Sequence, residues 1–219
     1  MTPGPRVVEI LIATGNPGKA REIEAVLSEV REDGERSTQI RWKTLRELTD
    51  LIPEPEEDQD TFTGNAALKA QYYSERSGLW TLADDSGLEV DVLGGEPGVR
   101  SARYADVSAD SSREDRDAAN NRKLISALRG VPLERRAARF RCALALADGE
   151  RLVATAEGVI EGKILDDPRG EGGFGYDPYF YVPELGRTTA ELEPDHKNRI
   201  SHRGQALRRL KTVLNQLSL

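Results

Sequence analysis

Apolar residues along this chain fall into short blocks whose period changes, and the changes mark the elements. Residues 7–13, Val-Val-Glu-Ile-Leu-Ile-Ala, form a nearly unbroken β-rich run that predicts a strand. After a loop at 14–19, Ile23, Val26, Leu27 and Val30 recur at helical spacing, so strand, loop and helix follow one another. Residues 40–45 predict a second strand. The stretch 51–60 reads as a loop, with Pro53 and Pro55 among the acids Glu54, Glu56, Glu57, Asp58 and Asp60. A helix is predicted over 62–76, ending at Gly78. Residues 80–83 and 88–93 predict strands on either side of an Asp84-Asp85-Ser86-Gly87 turn, with a Gly/Pro loop at 94–98.

The second half shows the same alternation. Leu124, Ile125 and Leu128 share one face of a helix predicted over 113–129, which Gly130 stops. Residues 138–147 and 151–160 flank Asp148-Gly149, a pair that favours positive φ in a two-residue turn and so predicts a hairpin. A glycine-rich loop at 170–176 follows. Leu207, Leu210, Val213, Leu214 and Leu217 make a final amphipathic helix. No internal repeat, low-complexity tract or dividing linker interrupts the order, so residues 1–219 are expected to form one α/β domain with a mixed sheet.

Composition narrows the function classes. No apolar run approaches the roughly 20 residues needed to span a bilayer, and charged residues make up 32 % of the chain, so no membrane partner is expected. The run at 7–13 contains Glu9 and precedes no small-residue cleavage pattern, which reads as a strand and not a signal peptide, with a cytoplasmic location as the default. A net charge of -7 argues against a broad nucleic-acid surface. Any bound phosphate must therefore meet a local basic pocket. Cys142 is the only cysteine, which excludes an internal disulfide or multi-cysteine zinc site and leaves a buried structural thiol.

Four segments carry candidate chemistry. Asp84 and Asp85 adjoin at the end of an apolar run, and adjacent strand residues point to opposite faces, so one acid anchors while the other faces a ligand. An Asx-turn without chemistry is the plainer alternative. The loop Thr14-Gly15-Asn16-Pro17-Gly18-Lys19 joins a strand to a helix, where backbone N–H groups, the helix dipole and Lys19 favour an anion. It lacks Walker A spacing, and a plain helix entry with an exposed lysine is the other reading. Gly170-x-Gly172-x-x-Gly175 matches the dinucleotide fingerprint by letter but runs into Tyr176-Asp177-Pro178, which opposes the helix that fingerprint requires. Phe174 and Tyr176 suit a planar base better, or simply pack in the core. Lys197, His202 and Arg203 lie at the entry to the last helix, with Ser201 as a cap, and offer either donors for ligand oxygens or a solvated face. Glu56 and Glu57 read by themselves as part of a solvated acidic loop.

Together these segments resemble the inosine triphosphate pyrophosphatase family nearly end to end. The resemblance rests on Ala13-Thr14-Gly15-Asn16 with Lys19; on Thr61-Phe62, Asn65-Ala66 and Lys69-Ala70; and on Ala83-Asp84-Asp85-Ser86-Gly87-Leu88 through Pro97-Gly98 and Ser101-Ala102-Arg103-Tyr104. Gly172-Gly173-Phe174-Gly175-Tyr176-Asp177-Pro178 and Ile200-Ser201-His202-Arg203-Gly204 continue it. It implies an elongated mixed β-sheet with flanking helices in two lobes around a central cleft, and a homodimer.

It also implies Mg²⁺-dependent hydrolysis of inosine, deoxyinosine and xanthosine triphosphates to monophosphate and pyrophosphate. Thr14, Asn16, Lys19 and Lys69 would hold the triphosphate, with Gly15, Pro17 and Gly18 completing the loop. Glu56 and Asp85 would bind Mg²⁺, Asp85 also serving as base. Ser86 would contact the substrate, and Phe174, in a block with Gly175 and Tyr176, would stack on the purine. Asp177, Lys197, His202 and Arg203 would surround the edge of the purine. Relatives commonly carry Glu where this chain has Gly64, which removes a carboxylate from that helix start. Rival readings are a Maf-type nucleotide pyrophosphatase, a nucleotide-binding module without turnover, and a nicotinamide oxidoreductase.

Overall fold

The computed structural model describes residues 6–28, 38–108 and 110–216. Seven strands form one mixed sheet in the order β2-β1-β3-β4-β5-β6-β7, flanked by helices. The strands are β1 (Arg6–Ala13), β2 (Thr38–Thr44), β3 (Trp80–Val90), β4 (Ala137–Asp148), β5 (Arg151–Ile164), β6 (Phe180–Val182) and β7 (Arg187–Thr188). The helices are α1 (Pro17–Ser28), α2 (Phe62–Ser77), α3 (Arg113–Ala127), α4 (Pro194–Ile200) and α5 (His202–Gln216). Val30 and Leu217, read from sequence as apolar helix positions, lie outside the described residues. Among the described residues no helix is long and apolar enough to cross a membrane.

The chain divides into two compact units, each assembled from separated segments. The first takes the chain through Asp85, then 142–158, then 203 onward. Its strands β1 and β2 are parallel, and β1 is parallel also to β3. Ile10, Leu11, Ile12 and Ala13 are all buried, which explains the unbroken apolar run, because a central parallel strand is covered on both faces. Ile10, Ile12, Leu82, Leu144 and Leu146 pack with Ile23 and Leu27 of α1 and with Leu207, Leu210 and Leu214 of α5. Cys142 belongs to this core, as expected.

The second unit comprises 86–141 and 159–202. Leu124 and Leu128 pack with Leu88, Val90, Phe140, Ile164, Tyr176 and Phe180. The rings of Phe140 and Phe180 lie 4.4 Å apart, and β6 pairs antiparallel with both β5 and β7.

Local signals explain most boundaries. The Thr61 hydroxyl accepts from the Gly64 N–H at 3.0 Å to start α2, and Gly78, at φ 67°, ends it. Ser112 caps α3 in the same way, ahead of Glu114 and Asp115 in its first turn. The hairpin loop is Gly149-Glu150, one residue later than expected, with the positive φ at Gly149.

One expectation is corrected. Asp84-Asp85-Ser86-Gly87 is not a turn, since β3 runs through it without a break. Gly87 is there for close approach: a Cβ would meet the Ser101 hydroxyl and lie 2.6 Å from the Gly98 carbonyl oxygen. Ser201, expected to cap the last helix, stands in extended conformation at the end of α4, immediately before α5.

Candidate active site

Because β1 and β3 are parallel with Ala13 opposite Ala83, the loop at Thr14 leaves β1 level with Asp84, which lies within β3. Ligands of parallel α/β sheets bind at this carboxyl end. The loop is built from its own side chains. Asn16 Oδ1 accepts from the N–H groups of Gly18 and Lys19 at 2.9 and 3.1 Å, and Thr14 Oγ1 accepts from the Asn16 N–H at 3.2 Å. Three of the backbone donors expected to greet a phosphate are thus already used, and Pro17 has none. The positive charge at this entry is Lys19 itself.

Alternation along β3 separates the two aspartates. Asp84 is buried, with Lys19 Nζ at 2.5 Å from Oδ1 and Arg203 Nε at 2.9 Å from Oδ2. The Cys142 thiol donates to the same Oδ2 at 3.1 Å. Burial would raise the Asp84 pKa, but Arg203 and Lys19 overcome it and hold the carboxyl well below the usual range. Burial, with Asp84 alongside, pushes the thiol of Cys142 well up and keeps it protonated. Arg203 also pairs with Glu22 of α1. Asp84 is the anchoring acid.

Asp85 is the other. Lys69 of α2 reaches its Oδ1 at 3.1 Å and Glu57 Oε1 at 2.5 Å. Asp85 Oδ2 is buried with no hydrogen-bond partner among the described residues, a costly state for a carboxylate oxygen. Burial raises the Asp85 pKa, against the lowering effect of Lys69 and Lys19. Burial opposes the charge on Lys69, yet Asp85 and Glu57 hold its pKa above the ordinary value.

The second carboxylate at Lys69 is thus Glu57, while Glu56 is exposed. Position 64 is the third residue of α2 behind the Thr61 cap. A Glu there would complete a capping box, so position 64 bears on the start of the helix.

In the second unit, the Gly-rich loop opens no helix and forms a tight platform. Phe174 lies between Gly173 (φ 74°) and Gly175 (φ 62°). Asp177 accepts from the Phe174 N–H at 2.8 Å, from Lys197 Nζ at 2.6 Å and from the Thr189 hydroxyl at 2.7 Å. A Cβ on Gly173 would collide with the Asp177 carboxylate, so this turn demands glycine twice over. Lys197 Nζ lies 5.0 Å and the Arg113 guanidinium 5.6 Å from the Phe174 ring centre.

The structure thus joins Phe174, Asp177 and Lys197. Tyr176 is buried in the core with its hydroxyl donating to the Ser101 carbonyl at 2.8 Å, and His202 stacks on Phe140 at 4.9 Å. Ser86, half-buried, follows Asp85 in β3. Thr189, Arg113 and Glu22 were not legible as contributors, because each is recognised only by the partner to which folding brings it.

The model of the Ham1 family matches residues 10–213. A dITP/XTP pyrophosphatase of Geobacillus kaustophilus is 49 % identical over 202 residues, covering 92 % of each chain. One from Thermus thermophilus is 47 % identical over 206 residues, covering 94 % of this chain and 91 % of that one. Among solved structures, a HAM1 protein from Coxiella burnetii superposes with a TM-score of 0.80 at 41 % identity, covering 96 % of this chain and all of the other. A nucleoside-triphosphatase / dITP/XTP pyrophosphatase from Mycobacterium abscessus gives 0.68 at 38 % identity, covering 93 % and 97 %. With sequence matched along nearly its full length and fold matched at the same extent, this chain belongs to the Ham1 family.

Proposed function

We propose that the protein is a Mg²⁺-dependent pyrophosphohydrolase that converts inosine, deoxyinosine and xanthosine triphosphates to the monophosphate and pyrophosphate. The observation that carries this reading is the division of labour between adjacent acids. Asp84 is neutralised by Lys19 and Arg203, whereas Asp85 keeps a buried oxygen that has no partner among the described residues, beside Lys69 and Glu57. Binding alone gains little from carboxylates near phosphate, so turnover explains Asp85 better than a nucleotide-binding module does. Relatives named dITP/XTP pyrophosphatases support the substrate class.

Asp85 would accept the proton of a water that attacks the α-phosphorus, and its raised pKa suits a base better than the firmly ionised Asp84. Lys19 and Lys69 would face the phosphates and offset charge developing on the pyrophosphate leaving group. Phe174 would present its ring to the purine, with Lys197 at the edge of that platform.

The donor set fits a divalent ion of this kind. Mg²⁺ is commonly held by one or two carboxylates, with phosphate oxygens and water filling its remaining positions. Asp85, through its free oxygen, and Glu57 would hold it. When bound it supplies positive charge against the phosphate oxygens.

The direct test is incubation with inosine triphosphate and Mg²⁺. Pyrophosphate and monophosphate in equal amounts support the reading, and release of single phosphate sinks it. A panel of nucleotides separates the Maf-type alternative by the bases accepted.

Two variants probe the assignments. Glu57→Gln is expected to raise the Mg²⁺ concentration needed for half activity by about tenfold or more, while Glu56→Gln leaves it within about twofold. The opposite pattern would return the metal role to Glu56. Lys19→Ala is expected to raise KM more than it lowers kcat, since an ammonium facing phosphate acts in ground and transition states alike. An unchanged KM would confine Lys19 to its pair with Asp84.

A further inference from the structure

Beyond Arg113, helix α3 carries none of the residues assigned so far, yet one of its faces grips the turn that bears Phe174. Asp117 and Asn121 are one turn apart. Asp117 Oδ2 accepts from the Gly175 N–H at 3.1 Å, and Asn121 Nδ2 donates to the Gly175 carbonyl oxygen at 2.9 Å. Both polar groups of Gly175 are therefore held from α3, while Asp177 holds the N–H of Phe174.

The cost of this arrangement indicates its purpose. Asn121 is buried and its Oδ1 has no hydrogen-bond partner among the described residues, an expense a merely convenient contact would not justify. Burial raises the Asp117 pKa, against the lowering effects of the Gly175 N–H and Arg113. Gly175 itself sits at φ 62°, a conformation that needs external support to stay unique. One helical turn before Asp117, Arg113 lies 4.0 Å from its carboxylate and 5.6 Å from the centre of the Phe174 ring.

We propose that Asp117 and Asn121 are positioning residues for substrate binding, fixing the Gly175 peptide so that Phe174 is a rigid platform for the purine. This rests on the reading that Phe174 stacks on the base. A preset ring loses little freedom on binding, so its supports act on affinity and leave chemistry at phosphorus alone. Stacking accepts any purine face, so the platform sets how tightly all purine triphosphates bind and not which is preferred.

The test uses steady-state kinetics of the full chain with inosine and adenosine triphosphates. Phe174→Ala should raise KM for inosine triphosphate on the order of tenfold to a hundredfold. Asp117→Ala and Asn121→Ala should each raise it about fivefold, with kcat within about twofold and the preference between the two nucleotides unchanged. Asp117→Asn, which keeps an acceptor oxygen, should restore the parental KM. In the Phe174→Ala background, adding Asp117→Ala should change KM by less than about twofold, because its target is already gone.

Full additivity with Phe174→Ala, or parental KM values in Asp117→Ala, would overturn the proposal. Asp117 is partly exposed, so its variants carry the test even if Asn121→Ala fails to fold. Failure of the underlying reading looks different: Phe174→Ala would then leave KM unchanged, or the parent would release no pyrophosphate.

Discussion

Asp85→Asn is expected to lower turnover of inosine triphosphate by about a thousandfold or more at saturating Mg²⁺, equivalent to roughly 4 kcal/mol of transition-state stabilisation. The amide matches the carboxylate in shape but neither accepts a proton from water nor brings negative charge to a cation. The fold should survive. Burial raises the pKa of Asp85, so its charge above that pKa opposes folding of the metal-free protein, and removing it at neutral pH relieves that opposition. Metal-free Asp85→Asn should therefore melt no lower than the metal-free parent, with Lys69 still held by Glu57. A variant that keeps more than about a tenth of parental activity would exclude Asp85 as the base.

Arg203→Ala is expected to have the largest effect on stability, a loss of about 3–5 kcal/mol. Its guanidinium is buried against Asp84 and Glu22, and the alanine variant takes this cation from the buried Asp84 carboxylate while its pair with Lys19 stays. A chain of this length should melt lower by about 10 °C. The family resemblance implies that Arg203 stands at the edge of the purine. The observed partners lead to a different expectation: hydrolysis of inosine and adenosine triphosphates should fall in equal proportion, because Arg203 acts through Asp84. A selective loss on inosine triphosphate, narrowing its advantage over adenosine triphosphate, would favour the base-reading role.

The sequence made the skeleton legible where one physical signal dominated. A doubly buried strand reads as an apolar run, Gly78 reads as a helix stop, and Asp-Gly between alternating runs reads as a hairpin. The site was half legible for the same reason. Adjacent acids on a strand must part to opposite faces, and Asp84 and Asp85 do.

Reading Asp84-Asp85-Ser86-Gly87 as a turn failed because turn vocabulary has a second cause. Gly87 makes room for the backbone at Gly98 and Ser101, and the aspartates, within the strand, pair with cations distant in sequence. The cap on α1 was likewise hidden, since Asn16 as a phosphate ligand and Asn16 as a helix cap use the same side chain. Glu57, Glu22, Asp117 and Asn121 became meaningful only through partners that the fold supplies. In the exposed acidic loop, nothing local separates Glu57 from Glu56.

Water activated at Asp85 is expected to attack the α-phosphorus, and turnover of inosine triphosphate in water labelled with heavy oxygen reports where the attack falls. Attack at the α-phosphorus places the label in inosine monophosphate and leaves the pyrophosphate unlabelled. Label in the pyrophosphate, with none in the monophosphate, would put the attack at the β-phosphorus and contradict the account.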